Sequence, residues 1–221
     1  MSKMRLVAVT KPVEGLPEFS EADGAEELIA FCARVSNPSN QSNHETAAKL
    51  LDYCIRHKHW SVFEMANVVC EVETTRDISR QILRHRSFSF QEFSQRYAEV
   101  TPEMFKVDHE ARTQDESNRQ TSTSVDDPEL QKAWEEIQQA SVDTGVALYH
   151  DALSRGIAKE LARKVLPEGL TLSRMYMNGT VRSWLHYAEV RIANGTQKEH
   201  SEIAEQCREI LSSLFPSTSA K

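Results

Sequence analysis

The spacing of apolar residues along the chain predicts a mixture of strands and helices. Apolar and polar residues alternate at 3–10, from about 61 to 74, and at 170–177, and this alternation indicates strands. The clearest of the three is the second, where Val68, Cys70 and Val72 occupy every other position among β-branched neighbours.

Apolar residues that recur every three or four positions predict the helices. They cover about 24–35, 45–56, 128–154, 158–165, 181–192 and 198–214. One more helix begins after Thr74 or Thr75, either of which can serve as its N-cap, and its buried side holds Ile78, Ile82 and Leu83. Near the helix at 181–192, Asn178 and Thr180 are both candidate caps.

The order of these elements favours an α+β fold: a single domain over 1–221 with a mixed antiparallel sheet and several helices. Strands and helices do not alternate as they do in a doubly wound parallel sheet, and the chain has no Gly-rich dinucleotide fingerprint. The stretch from Phe105 to Pro128 is polar, so we expect a mobile loop at 106–127, a candidate lid. We also expect a frayed tail at 216–221.

Composition narrows the functional classes. The formal net charge of −7 disfavours a nucleic-acid binder, which needs a broad basic surface. Neither end carries a long apolar run, so the sequence predicts no membrane segment, no secretory signal and a cytoplasmic location. The four cysteines are widely separated, which suits buried reduced thiols better than a zinc site or disulfides.

Positive charge is concentrated in one part of this acidic chain. Between residues 76 and 96 the cations are Arg76, Arg80, Arg84, Arg86 and Arg96, and the carboxylates are only Asp77 and Glu92. The guanidinium group matches phosphate geometry, and Gln81 shares a helix face with Arg84 and offers both a donor and an acceptor to a base. The cluster therefore indicates a nucleotide site, although arginines paired with surface carboxylates are the ordinary alternative.

A motif in this segment favours the nucleotide site over the surface ion pairs. Arg84-His85-Arg86, followed after seven residues by Ser94, resembles the signature of flavin-dependent thymidylate synthases. The resemblance continues on both sides of the motif, over nearly the whole chain. The further matching segments are Ala33-Arg34-Val35-Ser36, His57-x-His59-x-Ser61-x-x-Glu64, Ala162-Arg163-x-Val165-Leu166-Pro167, and Arg182-Ser183-x-x-His186 with Arg191.

This resemblance implies the site residues. The expected FAD-binding residues are Ser61, Glu64, Arg84, His85, Arg86, Glu92, Thr180, Arg182 and His186. The expected dUMP-binding residues are Gln81, Arg84, Glu92, Ser94, Gln95, Arg96, Arg163 and Arg191. Arg191 and His59 are the expected catalytic residues, with Arg191 stabilising negative charge on the uracil ring. At Thr180 this chain departs from the family, which often has Asn there.

The resemblance also implies the reaction and the assembly. In the family, reduced flavin accepts the methylene of methylenetetrahydrofolate and passes it to dUMP, and NADPH supplies the electrons. Arg182 and His186 lie on one helix face, whereas Arg191 lies half a turn away, so one monomer's pocket would struggle to use both faces. Family members are tetramers with shared sites, and we therefore expect a homotetramer.

Several alternatives are weighed against this interpretation. Ser94 can be interpreted as a nucleophile, but no base is evident near it in the sequence, and a serine among arginines more simply binds phosphate. His57, His59 and Glu64 can be interpreted as a metal site, but no clear third ligand exists and we expect no metal. Two other functions are a catalytically silent nucleotide or flavin-binding protein and a single-stranded nucleic-acid module using Phe88, Phe90 and Phe93.

Overall fold

The sheet at the centre of the protein has four antiparallel strands. The computed structural model describes residues 2–193 and 195–216, and the strands in chain order are β1 Lys3–Val9, β2 Asn67–Thr75, β3 Ser89–Glu92, β4 Arg112–Gln114, β5 Ser122–Ser124 and β6 Leu172–Thr180. Four of them form the sheet in the order β1-β2-β6-β3, and β4 and β5 form a separate hairpin. The α+β class and the antiparallel pairing are therefore confirmed.

The described part of the chain forms seven α-helices. They are α1 Ala25–Ala33, α2 Ala47–Arg56, α3 Arg76–Ile82, α4 Pro128–Ser154, α5 Lys159–Ala162, α6 Val181–Ile192 and α7 Lys198–Leu214. The bounds of α4, α6 and α7 are those predicted. Thr75 is the N-cap residue of α3, and Thr180, not Asn178, is the cap of α6.

The main core lies between the sheet and helices α1, α2, α3, α6 and α7, whereas α4 and α5 pack on a smaller cluster that includes Tyr149 and Ala162. Alternate residues of β2 and β6 face the main core and are almost fully buried, among them Val68, Met175 and Met177. From α6, Trp184 is fully buried against this surface, and its indole Nε1 donates a hydrogen bond to Val68 O at 3.0 Å. The bond satisfies the one polar atom of a large apolar side chain and fixes α6 over β2.

Two predictions about local structure were wrong or incomplete. The stretch predicted as a strand from 61 begins instead as a 3-10 helix, Trp60–Glu64, in which Phe63 is fully buried. The polar strand β3 was not predicted, because its pairing with β6 depends on residues far away in the sequence.

The predicted loop contains regular structure. The β4-β5 hairpin lies within 106–127, and α4 holds the segment before it: Gln131 exchanges hydrogen bonds with the backbone of Ala111, and Gln138 with that of His109. Mobility of this segment stays a prediction. Of the tail expected at 216–221, residues 217–221 lie outside the described residues.

The cysteines are all free thiols in the described chain. Cys54, Cys70 and Cys207 are buried, as predicted, whereas Cys32 is half-buried. Burial raises the pKa of Cys70 to about 12, which keeps it a thiol at neutral pH. None of the described helices combines the length and apolar character that crossing a membrane requires.

Candidate active site

The Arg84-His85-Arg86 segment connects the end of α3 to β3. His85 N donates to Ile82 O at 3.0 Å, which extends the last turn of α3. Phe88 then turns inward and is only 8% exposed. A Cβ atom at Gly179 would lie 2.4 Å from Phe88 Cδ1, so the ring lies directly on the backbone of β6. Phe88 thus anchors the arginine segment to the sheet.

A first cavity, the Arg182 cavity, lies beside the start of α6 and has a volume of about 480 Å³. Its lining residues are Trp60, Glu64, Ser87, Arg182, Ser183, His186 and Glu189. Glu64 and Arg182 form an ion pair at its edge. The structure thus brings together three residues of the predicted cofactor set, Glu64, Arg182 and His186.

The other predicted residues near this cavity have different environments. His59 and Ser61 are exposed at the beginning of the 3-10 helix that ends at Glu64. Thr180 caps α6, and its hydroxyl oxygen accepts a hydrogen bond from Ser183 N at 3.3 Å. Among the described residues, no group of three or more His, Cys, Asp or Glu side chains is arranged to hold a metal ion.

A second cavity, the Arg163 cavity, has a volume of about 460 Å³ and a strongly basic lining. It is lined by Arg76, Arg80, Gln95, Arg163, Lys164, Leu166, Glu168 and Thr171. Gln95 is 4% exposed, and its Nε2 has no hydrogen-bond partner among the described residues. Nη1 of Arg76 is likewise buried without a hydrogen bond, and burial lowers the pKa of this guanidinium. The buried Gln95 donor that lacks an acceptor, together with the guanidinium groups of the lining, makes the cavity suited to an anion.

Two more residues of the predicted nucleotide set lie beside the Arg163 cavity. Arg96 Nε is 3.6 Å from Glu160 Oε2, and the backbone oxygen of Glu160 accepts a hydrogen bond from Arg163 Nε at 3.3 Å. Glu160 therefore lies between the two arginines. Ser94 Oγ accepts a hydrogen bond from Arg96 N at 3.3 Å, and no described carboxylate or imidazole is bonded to this hydroxyl.

Glu92 is held in a fixed orientation by three residues. The hydroxyls of Ser79 and Ser173 both donate to its Oε1, at 2.6 and 2.7 Å, and Arg76 Nη1 lies 3.8 Å from the same oxygen. Both serines are almost fully buried. The second oxygen, Oε2, receives no hydrogen bond from the described residues and is available to a ligand donor.

A hydrogen bond between Arg191 and His85 joins the two predicted sets of residues. Nε of Arg191 donates to His85 Nε2 at 2.8 Å, so this ring nitrogen is unprotonated. Burial, helped by the positive charges of Arg191 and His186, lowers the pKa of His85 to about 4. Helix α6 therefore presents Arg182 and His186 to the Arg182 cavity, and it presents Arg191 to His85. This agrees with the predicted half-turn between Arg191 and the helix face of Arg182 and His186.

The sequence interpretation missed some residues that the structure places here. Arg76 and Arg80 are evident in the arginine stripe but were not assigned to a site, and both line the Arg163 cavity. Gln81 Nε2 donates to Gln197 Oε1 at 2.8 Å, and Gln81 Oε1 lies 3.3 Å from Nδ1 of the fully buried His200. A histidine within the apolar stripe of α7 is the sequence signal for such a buried hydrogen bond.

The two cavities lie at opposite ends of β6. Thr171, just before the strand, lines the Arg163 cavity, and Arg182, just after it, lines the other. Nine residues of β6 at about 3.3 Å each separate them by roughly 30 Å. Arg84 and Arg86 line neither cavity, and both are exposed without an ion pair to any described residue.

Comparison with known proteins shows which family the sequence matches. Residues 19–217 match the family model described as thymidylate synthase complementing protein. A protein of Paramecium bursaria Chlorella virus 1, named probable flavin-dependent thymidylate synthase, is 51% identical over 216 residues, covering 96% of this chain and 95% of its own length. The flavin-dependent thymidylate synthase of Synechocystis is 47% identical over 220 residues, covering 98% and 97%.

The fold is also found in solved structures. A UMP/dUMP methylase, PolB, from Streptomyces cacaoi, crystallised with 5-bromo-UMP, superposes with a TM-score of 0.77 over 99% of this chain and 92% of that one. The sequence identity is 23%, so this likeness concerns the fold.

Proposed function

Because the chain belongs to the family described as thymidylate synthase complementing protein, we propose that it is a flavin-dependent thymidylate synthase. In this proposal it methylates dUMP to dTMP with FAD as cofactor, methylenetetrahydrofolate as carbon donor and NADPH as reductant. The observation that carries the proposal is the Arg163 cavity, because its buried, unpartnered Gln95 amide and its arginine lining call for an anionic group such as a nucleotide phosphate.

The nucleotide would be bound by residues on both sides of this cavity. Arg163, Gln95 and Arg96 would hold the phosphate, with Ser94 donating a hydrogen bond, since these groups already converge there. The remaining residues of the proposed dUMP set are Gln81, Arg84, Glu92 and Arg191. The free Oε2 of Glu92 supports a contact with an N–H or O–H group of the ligand.

Arg191 would stabilise the negative charge that develops on the uracil ring. Uracil becomes nucleophilic at carbon when its ring acquires negative charge, and a guanidinium beside the ring stabilises that charge by about 3 kcal/mol, by analogy with other preorganised donors. The neutral His85 supports this role, because it accepts the Nε–H of Arg191 and thereby orients the group. The other guanidinium N–H groups stay available to the ring.

The residues around the Arg182 cavity fit FAD. A dinucleotide needs donors for its diphosphate and a wall for its rings, and the cavity offers Arg182, His186 and the indole of Trp60. The further residues of the proposed FAD set are Ser61, Glu64, Arg84, His85, Arg86, Glu92 and Thr180. When bound, FAD would supply the electron and carbon transfer that no side chain here provides. His59, exposed next to this cavity, would be the second catalytic residue.

We further propose a homotetramer whose active sites are shared between subunits. A carbon passed between two ligands requires them to touch, whereas the two cavities of one chain lie roughly 30 Å apart along β6. The free cations of Arg84 and Arg86 are accessible to a neighbouring subunit. On α4, Leu130, Trp134, Ile137 and Leu148 are also exposed, and apolar surface of this kind commonly marks an interface.

A visible absorption spectrum of the purified protein is the first test. We expect a flavin band that bleaches when NADPH is added without oxygen, with a bleaching rate that responds to dUMP. A colourless protein that gains no flavin band from added FAD would contradict the proposal. A catalytically silent flavin-binding protein, the remaining alternative, would bleach but form no dTMP.

Variants separate the two proposed sets of residues. Arg191→Ala should keep bound FAD and lose turnover, because the guanidinium acts on the uracil, whereas Arg86→Ala should weaken flavin retention. Arg155→Ala is a matched control, because this exposed arginine pairs with Asp151 at the far end of α4. Loss of flavin from the Arg191 variant would contradict the division of roles.

A further inference from the structure

Three helices meet in a buried chain of hydrogen bonds beneath Gln81. His200 of α7 and Tyr187 of α6 are both fully buried, and His200 Nε2 lies 3.1 Å from the Tyr187 hydroxyl. On the other side of the imidazole ring, Nδ1 faces Gln81 Oε1 at 3.3 Å. Gln81, on α3, continues the chain to Gln197 at the start of α7.

The direction of every hydrogen bond in this chain follows from the two amide oxygens, which can only accept. Gln197 Oε1 can only accept, so Gln81 donates to it through Nε2. Gln81 Oε1 can only accept, so His200 carries its proton on Nδ1 and donates. The Nε2 of a neutral ring then accepts from the Tyr187 hydroxyl. Burial lowers the pKa of His200 to about 3, in keeping with this neutral form.

These hydrogen bonds fix the orientation of the Gln81 carboxamide. Its oxygen accepts from His200 and one N–H donates to Gln197, so the amide is held in one orientation and the donor it has left is the second N–H. A glutamine without such partners can rotate its amide and present either a donor or an acceptor to a ligand. Here the amide is prepared for an acceptor, such as a phosphate or carbonyl oxygen.

We propose that His200 and Tyr187 are positioning residues, which hold Gln81 so that its free N–H donates to an oxygen of the bound nucleotide. This inference rests on the proposed function, because it takes Gln81 to contact dUMP. His200 and Tyr187 do not touch the ligand and act only through Gln81. They also restrict which ligand can bind, because a ligand group that donates a hydrogen bond at this position would face the N–H of Gln81, which is itself a donor.

Two substitutions at His200 form a matched pair. His200→Asn places an amide N–H close to the former Nδ1 and keeps a donor for Gln81, whereas His200→Leu has similar volume and no donor. We expect the leucine variant to bind dUMP about tenfold more weakly, roughly what one positioned hydrogen bond contributes. The asparagine variant should recover most of this loss. Calorimetric titration of each flavin-loaded variant with dUMP measures both.

A double-mutant cycle separates positioning from general packing. Gln81→Ala alone should weaken dUMP binding by a similar factor, and His200→Leu added to it should cause no further loss, because its effect passes through Gln81. Additive losses, or equal weakening by Asn and Leu at position 200, would overturn the inference. Tyr187→Phe, which removes only the hydroxyl, should weaken binding severalfold and serves if the leucine variant does not fold.

The wild-type titration distinguishes the two levels of proposal. A wild-type protein that binds no dUMP contradicts the proposed function itself. A wild-type protein that binds dUMP, combined with additive losses in the cycle, contradicts only the positioning role of His200 and Tyr187.

Discussion

Single side chains in this protein are prepared for ligands by hydrogen bonds to neighbouring side chains. Glu92 belongs to the recognised pattern, but its orientation comes from the hydroxyls of Ser79 and Ser173. Arg191 is oriented by the ring of His85. In both cases one polar atom is satisfied inside the protein and another is left for a ligand, which is how preorganised sites reduce the cost of binding.

The burial of His85, together with the positive charge of Arg191 beside it, predicts a pH dependence of stability. The pKa of His85 is lowered to about 4 in the folded protein, from an ordinary value of 6.5. As the pH falls through 6.5 the unfolded chain therefore takes up a proton that the folded protein excludes, and the free energy of unfolding decreases until about pH 4. Above pH 6.5 both states are neutral at this residue, and no such dependence arises.

His85→Gln isolates this contribution, because the amide oxygen of glutamine can accept from Arg191 but does not titrate. Urea unfolding at pH 7 and pH 5 should show a smaller decrease in unfolding free energy for the variant than for the wild type. The pKa of His200 is also lowered, mainly by burial, and the variant keeps that burial, so the main contribution of His200 is common to both proteins. Identical decreases would show that His85 is not held neutral.

At the scale of elements, the contact between Phe88 and Gly179 couples the arginine segment to β6. Gly179→Ala would place a Cβ 2.4 Å from the Phe88 ring, so the ring must move, and we expect a loss of about 1–3 kcal/mol in unfolding free energy. Flavin retention should also fall, because Arg86 lies two residues from Phe88. Chemical denaturation and the flavin absorbance of the purified variant measure the two effects.

Gly169→Ala is the matched control for this substitution. Its new Cβ would meet its nearest neighbour, Asp77 Cγ, at 4.0 Å, which is ordinary van der Waals contact, so we expect little change in stability. If Gly179→Ala were as stable as this control, Phe88 would have room to move and would not be the anchor of the segment.

Elements differ in how far the sequence predicts them. The helices α4, α6 and α7 have three or more turns of periodic apolar residues, and their bounds were predicted to the residue. Strand β3 is short and polar, and the β4-β5 hairpin is fully exposed or half-exposed, so neither has a local signature. Strand β3 also depends on β6, a partner distant in sequence, and a periodic pattern does not contain that pairing.

The sequence predicts a set of site residues but not their geometry. The family resemblance implies that Arg84, Arg163 and Arg182 are binding residues, yet it contains no information on which of them meet. The structure separates Arg163 from Arg182 by the length of β6 and places His85, expected at the cofactor, against Arg191. Such contacts arise from packing between elements, so they appear only once the fold is known.

At the scale of the whole molecule, the separation of the two cavities has a consequence for mixtures of variants. Arg163→Ala damages the proposed nucleotide half of a site and Arg182→Ala the proposed flavin half, and each variant alone should be inactive. If each site combines the nucleotide half of one subunit with the flavin half of another, random mixed tetramers regain about a quarter of their sites, one half times one half.

Co-expression or refolding of the two variants together measures this recovery of dTMP synthesis. The matched control mixes Arg163→Ala with Arg96→Ala, which damage the same half, so no combination of subunits restores a complete site. Recovery in the first mixture and not in the second would support shared sites. Mass measurement must first show that mixed tetramers form. If both mixtures are then inactive, each subunit builds its site alone, and the nucleotide half and the flavin half of a site come from the same chain.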